Sequence, residues 1–258
     1  MTVDAFEHDD PAAVEFYRAN GWVLLHTFDD DGVAHLRQWA DEIAAWDDAD
    51  GEWLHYRELT DFGPKLCRTE NFVPFHAGLR ELLTQGVVPA VAASLLGEPV
   101  HLYKEKVNYK LAGGAGFSAH QDAPAYPFLD QHVSCMIAID DADTENGCLE
   151  VASGWHRERL AVDSVGCVRG DIVAQFEWTA TPAHAGQTLW FHSLTPHRSG
   201  ANHSSRDRRA LYPTYNAASE GDLRDAYYRE KLDRMARQRV GKHVQVSLIG
   251  DFQGRPVD

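Results

Sequence analysis

Phe117-Ser118-Ala119-His120-Gln121-Asp122 is the stretch on which the reading of this chain turns, and Thr195-Pro196-His197 answers it far downstream. On a strand, the two-residue spacing of His120 and Asp122 puts both side chains on one face, close together. A second histidine arriving from a distant strand, with His197 the candidate, completes two imidazoles and one carboxylate. That set suits a non-haem Fe(II) with three coordination positions left open, the arrangement that oxygenases use. A glycine-rich turn, Gly113-Gly114-Ala115-Gly116, delivers the chain into the motif. The β-rich half that follows is what brings a remote histidine back to it.

The texture around the motif agrees. From Val100 onward, strand-like runs at 100–111, 133–139, 148–151, 174–181, 188–192 and 210–216 are divided by glycine- and proline-bearing turns. Upstream, Asp10-Pro11 reads as an N-cap and first helical residue, with the helix running to Asn20 and ending at Gly21. A short buried strand follows at 22–25. Val33, Leu36, Ala40 and Ile43 then form one apolar stripe of a second helix capped within 29–31. An acidic turn is expected at 47–51, and one or two strands, the first at 53–59, within a stretch (52–73) that has little pattern. Short helices are expected at 76–83 and 88–96, closed by Gly97-Glu98-Pro99. A closing helix is expected at 222–238, with Leu223, Ala226, Tyr227 and Met235 inward. The expectation is a mainly β protein, N-terminal helices packed on a β-sandwich or jelly-roll barrel, in a single domain over 1–258. Its parts are a helical flank at 1–99, the core at 100–220, and a C-terminal helix and tail at 221–258.

Composition narrows the function. With 258 residues the chain is long enough to bury a core, and its net charge of −15 argues against nucleic acid and against an anionic membrane surface. An anionic cofactor or substrate then needs a local cluster of Lys or Arg. Cys67, Cys135, Cys148 and Cys167 form no CxxC pair and read as reduced, buried thiols of a cytoplasmic protein. The start, Met1-Thr2-Val3-Asp4, carries no signal-peptide pattern, and no apolar run approaches a membrane span. The expected partner is a small molecule; the oligomeric state stays open between monomer and homodimer.

Three ordered blocks carry a family resemblance. They are His120-Gln121-Asp122; Glu145-Asn146-Gly147-Cys148-Leu149-Glu150-Val151-Ala152-Ser153-Gly154-Trp155-His156; and the run from Leu189 through Thr195-Pro196-His197-Arg198-Ser199-Gly200-Ala201-Asn202 to Arg208. With Phe16-Tyr17-Arg18-Ala19-Asn20-Gly21-Trp22-Val23 at the start, the chain resembles the phytanoyl-CoA dioxygenase family of Fe(II)- and 2-oxoglutarate-dependent oxygenases. Within it, the likeness runs to hydroxylases of small polar metabolites, ectoine hydroxylase and aminoethylphosphonate hydroxylase among them. The resemblance implies a double-stranded β-helix core and Fe(II), 2-oxoglutarate and O2 as cofactor and cosubstrates. It makes His120, Asp122 and His197 the iron ligands, and Arg208 and Ser199 the partners of the distal 2-oxoglutarate carboxylate. A guanidinium fork suits that role, since a charge-assisted hydrogen bond is worth roughly 1.5–3 kcal/mol net. It places Lys104 and Asn108 on 2-oxoglutarate, Lys106 on the substrate, and Tyr126 and Tyr212 in the substrate pocket. The related halogenases lack the carboxylate of Asp122, so its presence implies hydroxylation. Where the family has glycine after the distal histidine, this chain has Arg198, which points that side chain toward substrate.

Rival readings stand beside these. His192 and His203 compete with His197, and Arg209 with Arg208. Lys104, Lys106, Asn108 and Lys110 share one strand face, which is either a cavity wall or a face turned to water. The expected reaction is hydroxylation of an unactivated C–H in a small anionic or zwitterionic metabolite, phosphonates included, with release of succinate and CO2. A natural-product tailoring oxygenase of the same family is the alternative. A zinc-dependent hydrolase or a metal-free ligand-binding jelly roll are the alternatives of another class.

Overall fold

The computed structural model describes residues 4–48, 53–126, 129, 131–239, 246 and 249–257, and among these the side chains of 234–239 are not described. Strands β1 (Phe6–Glu7) and β2 (Trp22–His26) bracket helix α1 (Pro11–Asn20). The Asp10 carboxylate accepts from the Ala12 amide at 2.8 Å, and Pro11 occupies the first turn, where an amide has no helical partner. Gly21, at φ 83°, ends the helix, and a Cβ there would meet the His156 ring at 2.4 Å. Helix α2 (Asp30–Ala44) is capped by Asp29, and the predicted stripe of Val33, Leu36, Ala40 and Ile43 is buried.

The stretch with little pattern is a hairpin of β3 (Leu54–Thr60) and β4 (Gly63–Glu70), the upper number of strands expected there. Its strands defeat a period-two reading because buried charges, Glu58, Arg68 and Glu70, sit where apolar residues normally mark the inner face. Helices α3 (Ala77–Thr84) and α4 (Val87–Leu96) follow. Residues 77–96 together have the length and hydropathy of a membrane span. They break at Gly86 (φ 73°), and Leu79, Leu83, Val88 and Ala92 are buried against the sheet.

The remaining elements are β5 (Val100–Lys110), β6 (Phe117–His120), β7 (His132–Ala138), β8 (Leu149–Ala152), α5 (Gly170–Val173), β9 (Trp178–Thr181), β10 (Gln187–His192), β11 (His197–Ser199), β12 (Arg208–Ala217), α6 (Arg224–Arg239) and β13 (Pro256–Val257). The run read as a strand over 174–181 is a strand only from Trp178. Before it comes the short helix α5, and Phe176 packs edge-on against Trp155 and Trp178. The acidic turn at 47–51 and the side chain of Met235 fall partly or wholly outside the described residues.

Two sheets face each other. The larger runs β1-β2-β10-β7-β12-β5-β4-β3-β13, and the smaller runs β6-β11-β8-β9. Central strands are buried on both faces, so they read as continuous apolar runs. Cys135, Ile137, Trp190 and Leu211 face the helices, while Met136, Ala138, Leu189 and Phe191 face Leu149 and Val151 of the smaller sheet. This is the expected jelly-roll core with helices packed on its larger sheet. The segment 1–99, expected to be a helical flank, also supplies four strands to that sheet, and the tail supplies β13.

Candidate active site

His120 ends β6 and His197 opens β11, and the two strands pair with these residues directly opposite. Their rings lie 4.2 Å apart, centroid to centroid. Each Nδ1 is tied to a backbone carbonyl two residues back: His120 to Ser118 at 2.7 Å, His197 to Thr195 at 3.0 Å. A carbonyl only accepts, so each Nδ1 carries the proton and each Nε2 is a bare lone pair. Both Nε2 atoms lie 4.0 Å from Asp122 Oδ1, and the three ligand atoms fall within 4.8 Å of one another. This donor set fits Fe(II): two oriented imidazoles and one carboxylate on one side, open space on the other.

Asp122 is not on the strand, contrary to the simple reading of the two-residue spacing. β6 stops at His120, and Asp122 has helical dihedrals at the start of a short 3-10 turn, 123–125. Gln121 explains the turn. Its fully buried amide donates to Leu194 and Glu158 carbonyls and accepts from the Leu160 amide, pinning the motif between two loops. Asp122 Oδ2 accepts from Ser134 Oγ of β7 at 2.5 Å. Burial pushes the Asp122 carboxyl up, but His197 and Lys104 outweigh it and hold the group well below the usual carboxylate range.

The rival residues point elsewhere. His192 accepts the Leu194 amide on Nδ1 and lies against His156, and His203 is exposed. Arg209 turns away from the cavity and pairs with Asp140 at 2.8 Å and Asp41 at 2.5 Å. Arg208, one step along β12, is 4% exposed and lines the cavity. Its Nη2 donates to the Gly147 carbonyl at 3.0 Å. Ser199, two residues beyond His197 and therefore on the same face, is joined there by Lys110, whose ammonium donates to Ser199 Oγ at 2.9 Å. The turn at Gly147 (φ 73°) allows this recess, since a Cβ would meet the Gly200 carbonyl at 2.4 Å. Burial, and next the Arg208 charge, push Lys110 down to about 7.

The even-numbered face of β5 is a cavity wall. Lys104, Lys106, Asn108 and Lys110 all line the cavity beside the triad. One expectation shifts, the direction of Arg198. Lys104 stands six residues from Lys110, donates to the Tyr126 hydroxyl, and lines a second cavity branch with Tyr227 and Lys231. At the strand rise of about 3.4 Å per residue, it is too far to share the Arg208 recess, which Lys110 occupies instead. Arg198 points outward, because its neighbours His197 and Ser199 point inward. It pairs with Glu150 at 2.8 Å and lies over the Trp178 ring. Asn108 accepts from Arg68 Nε at 2.8 Å, and Tyr212 lies 5.3 Å under the Lys106 ammonium.

Several cavity residues were not singled out from sequence. Arg68 and Glu70 come from β4, and Lys231 from α6 donates to Glu70. Asp251 comes from the C-terminal tail. Only the i, i+4 pairing of Tyr227 with Lys231 on one helix face hinted at any of them. Burial, and then the charges of Arg68 and Lys104, push Lys106 well below the ordinary lysine range. Burial pushes Lys104 down to about 8. Among the described residues the Lys106 ammonium has no hydrogen-bonding acceptor.

The buried His132 and His197 and the half-buried His192 are each pushed down to about 4, chiefly by desolvation. In the unfolded chain a histidine titrates near 6.5, so the unfolded state takes up protons first as pH falls. Stability of the metal-free protein is therefore complete above about pH 6.5 and is lost toward pH 4, by up to about 1.4 kcal/mol per pH unit for each histidine. Urea midpoints measured from about pH 7.5 to about pH 5 check this. His132→Phe flattens the slope, because neither ring nitrogen of His132 has a partner among the described residues. A wild-type midpoint independent of pH in that range contradicts it.

Comparison with known proteins follows the same lines. Residues 17–210 match the phytanoyl-CoA dioxygenase (PhyH) family. The chain is 43% identical over 244 residues to the methylphosphonate hydroxylase of Gimesia maris, spanning 93% of this chain and 94% of that protein. It is 38% identical over 224 residues to the 2-aminoethylphosphonate dioxygenase of an uncultured bacterium, spanning 84% and 86%. Among solved structures, EctD from S. alaskensis with 2-oxoglutarate and 5-hydroxyectoine superposes with a TM-score of 0.72, over 85% of this chain and 79% of that one, at 22% identity.

Proposed function

The chain belongs to the phytanoyl-CoA dioxygenase family, as an Fe(II)- and 2-oxoglutarate-dependent dioxygenase, and from that premise we propose that it hydroxylates a small phosphonate. In this reading His120, Asp122 and His197 hold the iron, and Arg208, Lys110 and Ser199 hold the distal carboxylate of 2-oxoglutarate. The observation that carries the reading is a pair of cationic recesses on either side of one triad. One is the Arg208–Lys110 end; the other is walled by Lys104, Lys106 and Arg68. A zinc hydrolase or a simple ligand-binding jelly roll has use for one anion receptor beside the triad, not two.

When bound, iron and 2-oxoglutarate supply the oxidation: O2 gives one oxygen atom to succinate, with loss of CO2, and the other to a substrate C–H bond. The protein's own residues do the rest. Ser134 fixes one Asp122 oxygen so that the other faces the two histidines. Phe191, 4.6 Å from the His197 ring, and Leu149 close the cavity on its apolar side and exclude water. Lys106, held against Tyr212 with no acceptor among the described residues, and Lys104 form the counter-charge for an anionic group. Arg68, Lys104, Lys106 and Lys231 line this branch against the carboxylates of Glu70, Asp122 and Asp251, and a phosphonate dianion answers the lysines that no carboxylate pairs. Methylphosphonate and 2-aminoethylphosphonate, the compounds named for the two relatives, are the first candidates.

The test is succinate formation with each phosphonate and with a carboxylate of the same length, together with mass detection of a hydroxylated product. Coupled turnover with a phosphonate, and only the uncoupled background with the carboxylate, is expected. Coupled turnover with the carboxylate and none with either phosphonate overturns the substrate assignment.

A further inference from the structure

We propose that Asp251 selects the substrate by accepting from an ammonium group, so that the preferred substrate is an aminoalkylphosphonate and not a plain alkylphosphonate. The inference rests on the phosphonate reading above and adds the residue that reads the other end of the molecule.

Asp251 is 4% exposed and lines both branches of the cavity. Its Oδ1 has no hydrogen-bonding partner among the described residues. Its Oδ2 lies 3.4 Å from His120 Nε2, the lone pair that faces the metal position. With iron on that nitrogen, neither carboxylate oxygen keeps a contact with a described protein donor. A buried carboxylate in that condition is costly, and the missing donor comes from whatever fills the cavity. Arg68 is a cation within electrostatic reach of Asp251 and is also held by Asn108 and the Val246 carbonyl, and Lys104, Lys106 and Lys231 wall the same branch.

The backbone leaves the carboxylate little freedom to swing away. The Asp251 carbonyl accepts from the Ser118 amide at 2.8 Å, two residues from His120. On either side, the Gly250 amide donates to Val165 at 2.8 Å and the Gln253 amide to Gly116 at 3.1 Å. Phe252 packs on Phe117 at 5.3 Å. The tail is thus sewn along β6 with its carboxylate facing inward. It also lies beyond residues 17–210, the span that matches the family. Tyr227 and Lys231, which wall the same branch, come from beyond that span too. The matched span supplies the triad with Arg68, Lys104 and Lys106, and the C-terminal part adds Tyr227, Lys231 and Asp251 to the wall.

Charge decides what fits. A phosphonate drawn to Lys104, Lys106 and Arg68 brings two negative charges close to Asp251, and with a plain alkylphosphonate these repel the carboxylate. An ammonium on the same small molecule answers the carboxylate while the phosphonate answers the lysines.

The experiment uses full-length enzyme loaded with Fe(II) and 2-oxoglutarate. Dissociation constants for 2-aminoethylphosphonate and methylphosphonate are read anaerobically from the shift of the visible metal-to-ligand band, and kcat/KM from succinate. The wild type is compared with Asp251→Asn and Asp251→Glu, each used only if it still forms the band. Wild type is expected to prefer the aminophosphonate by about tenfold or more, the value of one charge-assisted hydrogen bond. Asp251→Asn is expected to bring that ratio close to unity, mainly through Kd and KM, and Asp251→Glu to retain part of it. A wild type active on methylphosphonate with no preference for the amine overturns the role of Asp251 and leaves the phosphonate reading standing. So does a ratio unchanged in Asp251→Asn. If neither compound shifts the band or supports succinate formation in the wild type, the phosphonate reading itself falls, and the inference with it.

Discussion

Asp122→Ala protein gives no metal-to-ligand band when mixed anaerobically with Fe(II) and 2-oxoglutarate, and it forms no succinate with either phosphonate. Three effects converge on this residue. It supplies the only charge in the ligand set, since both histidines present neutral lone pairs. It is pre-oriented by Ser134, so the wild-type site spends little to assemble. It also faces Lys104 and Lys106, whose charges repel a metal ion once the carboxylate is gone. Losing an outer partner of a ligand already costs about 10–100-fold in metal affinity; losing the ligand itself costs more than about 100-fold on that scale. Circular dichroism and thermal unfolding of the same protein separate a lost site from a lost fold. A full band in Asp122→Ala protein removes Asp122 from the ligand set.

Arg208→Ala binds iron with little change but needs far more 2-oxoglutarate. Its guanidinium is buried at the end of a recess with Lys110 and Ser199 beside it. Removing one partner of a buried ion pair costs roughly 3–5 kcal/mol, which is about 10²–10⁴-fold in Kd. Lys110 offsets part of the loss. The Arg208 charge is one cause of its lowered affinity for protons, so without Arg208 the lysine holds its charge more firmly and can answer the carboxylate. Arg209→Ala is the comparison, since that side chain pairs with Asp140 and Asp41 on the far side of β12. A titration of 2-oxoglutarate against the visible band reads both variants. Equal affinity in wild type and Arg208→Ala, or a larger loss in Arg209→Ala, shows that the recess is not the cosubstrate site.

Much of this was legible before any coordinates. The caps at Asp10 and Asp29, the stripe from Val33 to Ile43 and the strand runs after Val100 are local signals, and they were read within a few residues of where the elements stand. The strand pair that brings His197 opposite His120 followed from motif spacing and family resemblance, whereas the face of β5 that turns inward was left open until the structure placed it on the cavity. Where the reading erred, a tertiary contact had overruled a local pattern. Asp122 left the strand because buried Gln121 is anchored to loops that come from residues 158–160 and 194. Arg198 turned outward because strand alternation does not let three consecutive residues share a face.

The β3–β4 hairpin and the tail mark the harder boundary. Arg68 and Glu70 occupy a strand whose buried residues are charged, and such a strand has no apolar period to detect. Lys231 on a helix of low apolar content reads as a solvated side chain until Glu70 is placed against it. Asp251 sits in a segment with no periodicity at all, and only its pairing along β6 brings it to the triad. The sequence by itself pointed to a jelly-roll class and to His120, Asp122 and His197 as one cluster, and the family resemblance it carries pointed to Arg208, because motif spacing and strand alternation are properties of neighbours along the chain. That Arg68, Glu70, Lys231 and Asp251 line the cavity beside the triad was decided only by the tertiary structure, because β4, α6 and the tail meet there from sequence positions that carry no mutual signal.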